Sequence, residues 1–262
     1  MSDTPADQQD SFISHLVELR DRLLRALVAV IVVFIGLSIW PGMGGVYDFL
    51  AYPLLKALPE GTKMIATGVV SPFLVPVKVT MMAAFFIAMP VVLYQAWKFV
   101  APGLYAHEKR FGLPLVIGST LLFFAGVAYC YFVVFGMAFE AIHKFAPKSI
   151  TPAPDIEAYL SFVITMFVAF GVTFEIPLVQ VILVHMNMVT VEKLREIRSY
   201  VIVGAFVIAA VVTPPDVVSQ LLLAIPMCLL YEAGILLSGV VDKLFGKRKT
   251  RAEAAAADQA PS

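Results

Sequence analysis

The run LPLVIGSTLLFFAGVAYCYFVVFGMAF, residues 113–139, contains no charged side chain. A helix needs about 20 mostly apolar residues to cross a hydrocarbon core about 30 Å thick. Leu113–Phe139 exceeds that length and shows none of the ten-residue alternation of a membrane β-strand. It therefore predicts a membrane-spanning helix, and the chain repeats the pattern on both sides of it. Leu23–Trp40 and Leu74–Val100 precede it; Tyr159–Leu183, Tyr200–Val212 and Val217–Leu237 follow. Glu175 and Pro177 interrupt the fourth segment in chain order, and Glu232 interrupts the sixth. Pro214-Pro215-Asp216 forces a tight turn between the fifth and sixth. The expected fold class is an all-α membrane protein of six transmembrane helices.

Composition supports this. Of 262 residues, 60% are apolar and 15% charged, against about 45–50% and about 25% in soluble domains. A water-soluble enzyme is excluded on that ground, and the 20 phenylalanines oppose disorder. The 19 basic and 19 acidic residues balance, which leaves no basic field for nucleic acid. Cys130 and Cys228 lie far apart inside apolar runs, so they read as inert thiols rather than a disulfide framework or a zinc site. The spans leave no room for a separate soluble domain. One polytopic domain is expected over residues 12–237, between a flexible acidic N-tail (1–11) and a flexible C-tail (238–262). No internal repeat of the inverted transporter type is visible.

Positive charge marks the cytoplasmic side of a membrane protein. Arg20, Arg22 and Arg25, then Lys98, Lys109 and Arg110, then Lys193, Arg195 and Arg198 fall on one side, with Lys243, Lys247, Arg248, Lys249 and Arg251 in the C-tail. Lys56, Lys63, Lys78, Lys144 and Lys148 fall on the other. Both termini are therefore expected in the cytoplasm. The first span follows a basic stretch, as a signal peptide would. However, Ser38-Ile39-Trp40-Pro41-Gly42 offers no small-x-small cleavage site, and the leader carries Asp3, Asp7 and Asp10, so the span is expected to be retained. The outer loop 41–73 holds Pro41, Pro53, Pro59 and Pro72, with helical spacing over Val46–Leu58 that suggests a short helix in the membrane interface. The loop near 140–158 holds Pro147, Pro152 and Pro154. A lid over the outer face and ordinary connections both fit these loops.

Two features carry physical weight. Glu175 lies 14 residues into the fourth span, counting from Ser161. At about 1.5 Å per residue that is about 21 Å, past the midplane. A carboxylate there costs about 2.5–3.5 kcal/mol on insertion scales. Two readings remain open: a buried carboxyl bonded to a neighbouring helix, or a polar group lining a recognition groove or proton path. The second feature is the shortness of the last two spans. Thinning of the bilayer, recruitment of partner helices or snorkelling flanks would each meet it. No Walker A, HExxH or G-x-S-x-G sequence occurs, and His15, His107, His143 and His185 stand apart from any metal-ligand spacing, so neither an enzyme nor a metal or cofactor site is expected. Taken alone, Glu18 reads as an i,i+4 partner of Arg22 and Glu108 as a solvated loop residue.

Several motifs in order along the chain resemble the TatC family. They are Phe12-Ile13-Ser14-His15-Leu16-Val17-Glu18-Leu19-Arg20-Asp21-Arg22-Leu23, Met64-Ile65-Ala66-Thr67 with Ser71-Pro72-Phe73, and Tyr94-Gln95-Ala96-Trp97-Lys98-Phe99-Val100-Ala101-Pro102-Gly103-Leu104-Tyr105 with His107-Glu108-Lys109-Arg110. Phe170-Gly171 through Glu175-Ile176-Pro177 and Thr213-Pro214-Pro215-Asp216-Val217-Val218-Ser219-Gln220 complete the set. The resemblance runs from about Phe12 to Leu237.

It implies the receptor and core component of the twin-arginine machinery, which carries folded proteins across the bacterial inner membrane on the proton gradient. It implies a concave, glove-like bundle of helices that binds twin-arginine signal peptides at its cytoplasmic surface through Glu18, Glu108, Arg20 and Phe99. It also implies an intramembrane carboxylate at Glu175, sensitive loop positions at Pro53 and Asp216, and a partner-helix contact at Thr213 and Gln220. One further polar or methionine position of that contact is Ala210 here. The implied partners are single-span subunits of the TatA and TatB type, further copies of the chain and the lipid bilayer, with no nucleic acid and no cofactor. The competing class is a small proton-coupled solute transporter with Glu175 as its proton carrier.

Overall fold

A computed structural model of the chain describes residues 5–49, 65–100, 109–138, 155–213 and 217–257. Helix accounts for nearly all of them, as it must where a bilayer offers no water to backbone N–H and C=O groups. Helix α1 covers Pro5–Leu37. It passes through a π-helical turn, Ser38–Gly42, in which Trp40 is extended, and helix resumes over 43–49. Then come α2 (Ser71–Ile87), α3 (Met89–Val100) and α4 (Lys109–Tyr129), the last continued by a π-helical turn at Cys130–Val134. After these come α5 (Ile156–Phe174), α6 (Ile176–His185), the short α7 (Val191–Glu196), α8 (Arg198–Val212) and α9 (Val217–Ala257).

Each expected span falls on helix. Ser14–Phe49, Gly112–Ala138, Ile156–His185 and Val217–Val241 are long and apolar enough to cross a membrane, and Arg198–Val212 is a shorter apolar helix. The second span differs from the uninterrupted helix expected over Leu74–Val100. It consists of α2 and α3, bent by 56°. The break lies at Ala88, two residues before Pro90, which has no N–H with which to continue the ladder. The interfacial helix expected over Val46–Leu58 is helical as far as residue 49, and residues 50–64 lie outside the described set. So do residues 139–154 of the second outer loop and the turn Pro214–Asp216. Helix α1 starts at Pro5, within the stretch expected as an N-tail, and α9 continues to Ala257 through the stretch expected as a C-tail.

The chain forms two compact units. The first comprises Met1–Thr120 with Lys148–Ile164. In it α1 packs on α2 and α3. Val46, Val75, Val79 and Leu160 form a buried cluster, with Leu37, Tyr47 and Ile164 against it. Asp155 fixes the start of α5. Its Oδ1 accepts the backbone N–H groups of Glu157 and Ala158, both at 3.0 Å, as an N-cap does. Its Oδ2 accepts the Thr67 N–H at 3.0 Å and the Thr67 hydroxyl at 2.6 Å. The Ile156 N–H also bonds the Ile65 carbonyl at 2.9 Å. One carboxylate thus caps a helix and holds the segment that leads into α2. Beside it, Glu157 accepts from the Ser71 hydroxyl at 2.8 Å and from Lys78 at 2.5 Å.

The second unit comprises Leu121–Pro147 with Thr165–Ser262. Here α6 lies along α9. The approach is close because Gly234 of α9 has no Cβ: one placed there would stand 2.9 Å from the Pro177 Cα and would overlap the Gln180 amide. Val184, Val191, Leu194, Tyr231 and Ile235 form the buried cluster that seats α7. The Tyr231 hydroxyl donates to the Leu194 carbonyl at 2.7 Å. Arg198 and Glu232 pair fork to fork, with Nη2 to Oε2 at 2.7 Å and Nε to Oε1 at 2.6 Å, so the residue that interrupts the sixth apolar segment anchors the start of α8. Between α4 and α5, a Cβ on Gly126 would stand 2.5 Å from the Phe170 carbonyl oxygen, and one on Gly171 would overlap the Phe123 ring.

Two stability measurements check this packing. Gly234→Leu should lower the thermal midpoint of the purified protein in detergent by an amount equivalent to about 1–3 kcal/mol, the usual cost of overpacking. Gly204→Ala, which meets nothing within 4 Å, should leave the midpoint unchanged. Hydrogen bonds from Thr67, first its hydroxyl, and from the Ala158 and Glu157 amides hold the Asp155 carboxyl down to about 2, below its ordinary 3.8. A carboxyl lowered on folding stabilises the native state above its ordinary value and loses that contribution as pH falls towards the lowered one. Asp155→Asn should therefore lower the thermal midpoint at pH 7, and the gap from the native protein should close as pH approaches 2.

Candidate functional site

The start of α1 and the end of α3 meet in the first unit, and the meeting is aromatic. The His15 ring stacks on Phe99 with centroids 4.4 Å apart and planes at 18°. Glu18 follows His15 by three residues, so both sit on one face of α1. Arg22 is one turn further, and its guanidinium bonds Glu18 Oε1 through Nη2 and through Nε at 3.0 Å. Glu18 lies ahead of the first apolar span. The Arg22 hydrogen bond, helped by the charges of Arg22, His15 and Lys98, lowers its carboxyl below the ordinary value.

Helix α3 is pinned from the other side as well. Residues two apart on a helix point to opposite faces. Thus, while Phe99 meets α1, Trp97 turns towards α4 and is buried, its indole N–H donating to the Ser119 hydroxyl at 2.9 Å. Lys98 lies over the Tyr94 ring, 5.8 Å from its centroid, as a cation–π pair. The result is a basic and aromatic helix end beside a half-buried carboxylate. Such a surface suits a ligand that carries both cationic and apolar groups.

The expected site residues divide as follows. The structure brings Glu18 and Phe99 together through His15. Arg20 does not join them: it is exposed and pairs with its neighbour Asp21, Nε at 3.0 Å and Nη2 at 2.9 Å from Oδ1. Its position two residues after Glu18 turns it to the other side of the helix. Glu108, Pro53 and Asp216 lie outside the described residues. Sequence reasoning missed His15 as a site residue. Its signal was the one-turn spacing from Glu18.

Glu175 occupies the junction between α5 and α6, and only 8% of its surface is exposed. Its N–H bonds the Val172 carbonyl at 3.0 Å and its carbonyl accepts from Val179 at 2.9 Å, so the backbone passes through a tightened turn and recovers. Pro177, near the start of α6, explains the break, since it has no N–H to donate. Aromatic rings line the end of α5, with Tyr129 centroids 5.7 Å from both Phe170 and Phe174. The carboxyl is thus carried on the inside of the chain.

Thr213 is also buried, and its hydroxyl donates to the Ala209 carbonyl at 2.8 Å. Gln220 Nε2 reaches the Phe206 carbonyl at 3.3 Å. Ala205 and Ala209 are the buried face of α8, small enough for close helix approach, while Val203, Phe206, Val207 and Ala210 face outward. Gln180 was also missed. It is 4% exposed inside the second unit, and neither end of its amide has a hydrogen-bond partner among the described residues. One polar residue in an apolar helix gives no sequence signal of the glycine that admits it.

Comparison with known proteins bears on what this arrangement does. The profile of the TatC family, described as "Sec-independent protein translocase protein (TatC)", matches residues 14–226. The Sec-independent protein translocase protein TatC of Azotobacter chroococcum is 48% identical over 257 residues, which is 98% of this chain and 97% of that protein. That of Escherichia coli K12 is 49% identical over 226 residues, 86% of this chain and 87% of that protein. A solved structure described as "Crystal Structure of Twin Arginine Translocase Receptor- TatC" superposes with a TM-score of 0.76 at 40% identity, covering 87% of this chain and 99% of that one.

The burial of Glu175 makes a stability prediction. A carboxyl in an apolar setting is costly to hold, so Glu175→Gln should match or exceed the native thermal midpoint in detergent. A fall equivalent to more than about 3 kcal/mol, the scale of a broken buried polar network, would show that Glu175 is needed for the fold.

Proposed function

Because this chain belongs to the TatC family of Sec-independent protein translocase proteins, we propose that it is the receptor and core component of a twin-arginine translocation system. The observation that carries the reading is the family match over residues 14–226, which includes the α1–α3 cluster of His15, Glu18 and Phe99. The relatives are translocase proteins, which favours this role over a solute transporter. The role is that of a non-catalytic binding protein in a multi-pass membrane domain.

The chemistry follows from the ligand. Two consecutive arginines offer two planar, permanently charged forks, each matched to a carboxylate in a way that lysine does not reproduce. Glu18 and Glu108 are the proposed acceptors, with Phe99 and His15 giving the apolar part of the signal a surface beside them. Shielded hydrogen bonds to charged groups contribute about 1.5–3 kcal/mol each, and exposed pairs only about 0–1. Glu18 is half-buried, so the arginines supply modest affinity and much of the specificity. The signal's apolar stretch supplies the remainder.

The other assignments belong to the same proposal. Both termini lie in the cytoplasm, a reading supported by the loop-by-loop charge bias, and the protein sits in the bacterial inner membrane, a reading supported by its family. The translocase domain covers 12–237, and the stretches 1–11 and 238–262 are accessory to it. Glu175 supplies the intramembrane polar group that the proton-driven process requires, and Pro53 and Asp216 hold functional loops. Single-span partners of the TatA and TatB type, and further copies of the chain, dock on α8 and α9. Thr213 supports that face from within, since its hydroxyl is engaged by Ala209, while Gln220 and the outward apolar residues of α8 meet the partner. A polar contact between membrane helices averages about 0.6 kcal/mol, so a single change at Gln220 should weaken assembly rather than abolish it.

Two experiments test the proposal. Membranes carrying Glu18→Ala with Glu108→Ala should bind a twin-arginine precursor at least about tenfold more weakly, the equivalent of one charged hydrogen bond; undiminished binding would refute the site. For topology, cysteines placed at residues 60 and 148 should react with an impermeant reagent outside the cell, and those at 108 and 195 only after the membrane is opened.

A further inference from the structure

The pair between Glu18 and Arg22 is more specific than an ordinary exposed helix pair. The Arg22 side chain is 11% exposed while that of Glu18 is 41% exposed. Both guanidinium donors, Nε and Nη2, converge on Oε1. Oε2 takes no hydrogen bond from any described residue. Arg22 Nη1 is buried and has no acceptor among the described residues. A mutual surface pair at i,i+4 normally leaves both side chains free to move and contributes only a few tenths of a kilocalorie per mole. Here a sunken, planar fork grips one oxygen of a carboxylate whose side chain is far more exposed than its own.

We infer that Arg22 is a positioning residue of the recognition site, holding Glu18 by Oε1 so that Oε2 is presented to the guanidinium of a bound signal peptide. The inference rests on the reading of Glu18 as a signal-binding carboxylate. It turns the helix pair from a rival of that reading into part of it. A carboxylate has about four lone-pair sites on its two oxygens. Arg22 occupies the Oε1 side, and an incoming fork finds the Oε2 side open and already aimed. A guanidinium suits this role better than an ammonium, because its planar donors fix an orientation and not only a charge. Preorganisation of this kind raises affinity by removing rotamer freedom before the ligand arrives.

The charged and titratable groups facing Glu18 are Arg22 and His15 from α1 and Lys98 from α3. Among these, the Arg22 hydrogen bond is the foremost cause that keeps the carboxyl ionised below its ordinary range. Since the ligand is cationic, it needs the ionised form. Removing Arg22 should thus move the acid limb of binding to higher pH. Loss of a merely structural contact would lower the amount of folded protein and leave that limb in place.

The test titrates full-length protein in detergent with a fluorescent synthetic twin-arginine signal peptide from pH 8 to pH 4. Native protein, Arg22→Gln, Arg22→Lys, Glu18→Gln and the Glu18→Gln, Arg22→Gln double variant are compared. Arg22→Gln should bind about tenfold more weakly at pH 7 and show its acid limb at higher pH. Arg22→Lys should return the limb towards the native position and regain part of the affinity. In the Glu18→Gln background, Arg22→Gln should cause no further loss. An unmoved acid limb in Arg22→Gln, or an undiminished loss in the double variant, overturns the positioning role while Glu18 keeps its place in the site. If Glu18→Gln itself binds as the native protein does, the site reading fails, and the positioning role falls with it.

Discussion

In hydrocarbon every backbone N–H and C=O group must find a partner within the protein, and that constraint governs each irregularity in this chain. Among the described residues, the breaks at Ala88 and Glu175 each coincide with a local hydrogen-bonding device. At Ala88, ahead of Pro90, the Ala88 carbonyl accepts from both Val91 and Val92, which carries hydrogen bonding across the bend of the second span. At Glu175, ahead of Pro177, the turn tightens onto Val172 and the ladder resumes at Val179. The π-helical turn at Cys130–Val134 absorbs local distortion without ending the helix, whereas at Trp40 the backbone becomes extended and the helix kinks. Where α5 must begin, Asp155 supplies the acceptor that the first amides lack.

The same economy builds the proposed recognition surface. Helix α3 has one short apolar and aromatic end, and its residues are shared between two neighbours. Trp97 bonds Ser119 on α4 and Phe99 stacks on His15 of α1. A helix end held on two sides gives the adjoining carboxylate a fixed frame. Glu18 needs such a frame because its own helix continues as an exposed apolar rod, with Leu23, Leu27 and Ile31 turned outward. Charge alone would not hold it there.

Much of this was legible in the sequence. Segment length and hydrophobicity located every span, because those properties are set by bilayer thickness and leave little freedom. The burial of Glu175 followed from the cost of exposing a carboxylate to lipid. The bend at Ala88 was missed although Pro90 was in view, because a proline within an apolar run signals a break only in its helical context. Arg20 was grouped with Glu18 by motif, whereas a two-residue offset turns it towards Asp21. Asp155 escaped notice because its partner Thr67 is 88 residues away. The match of Gly234 with Gln180 was equally hidden. Tertiary pairings of this kind leave no periodic trace in one sequence.

The placement of the two tryptophans has an optical consequence. Trp97 is buried with its indole N–H bonded to Ser119, whereas Trp40 stands exposed at the kink after α1. The two indoles thus differ in burial and in hydrogen bonding. Replacing Trp40 by phenylalanine leaves a chain with one tryptophan, two residues from the ring that stacks on His15. With excitation that spares the tyrosines, light emitted by such a protein originates beside the proposed recognition surface, which would make it a reporter of occupancy without an attached dye.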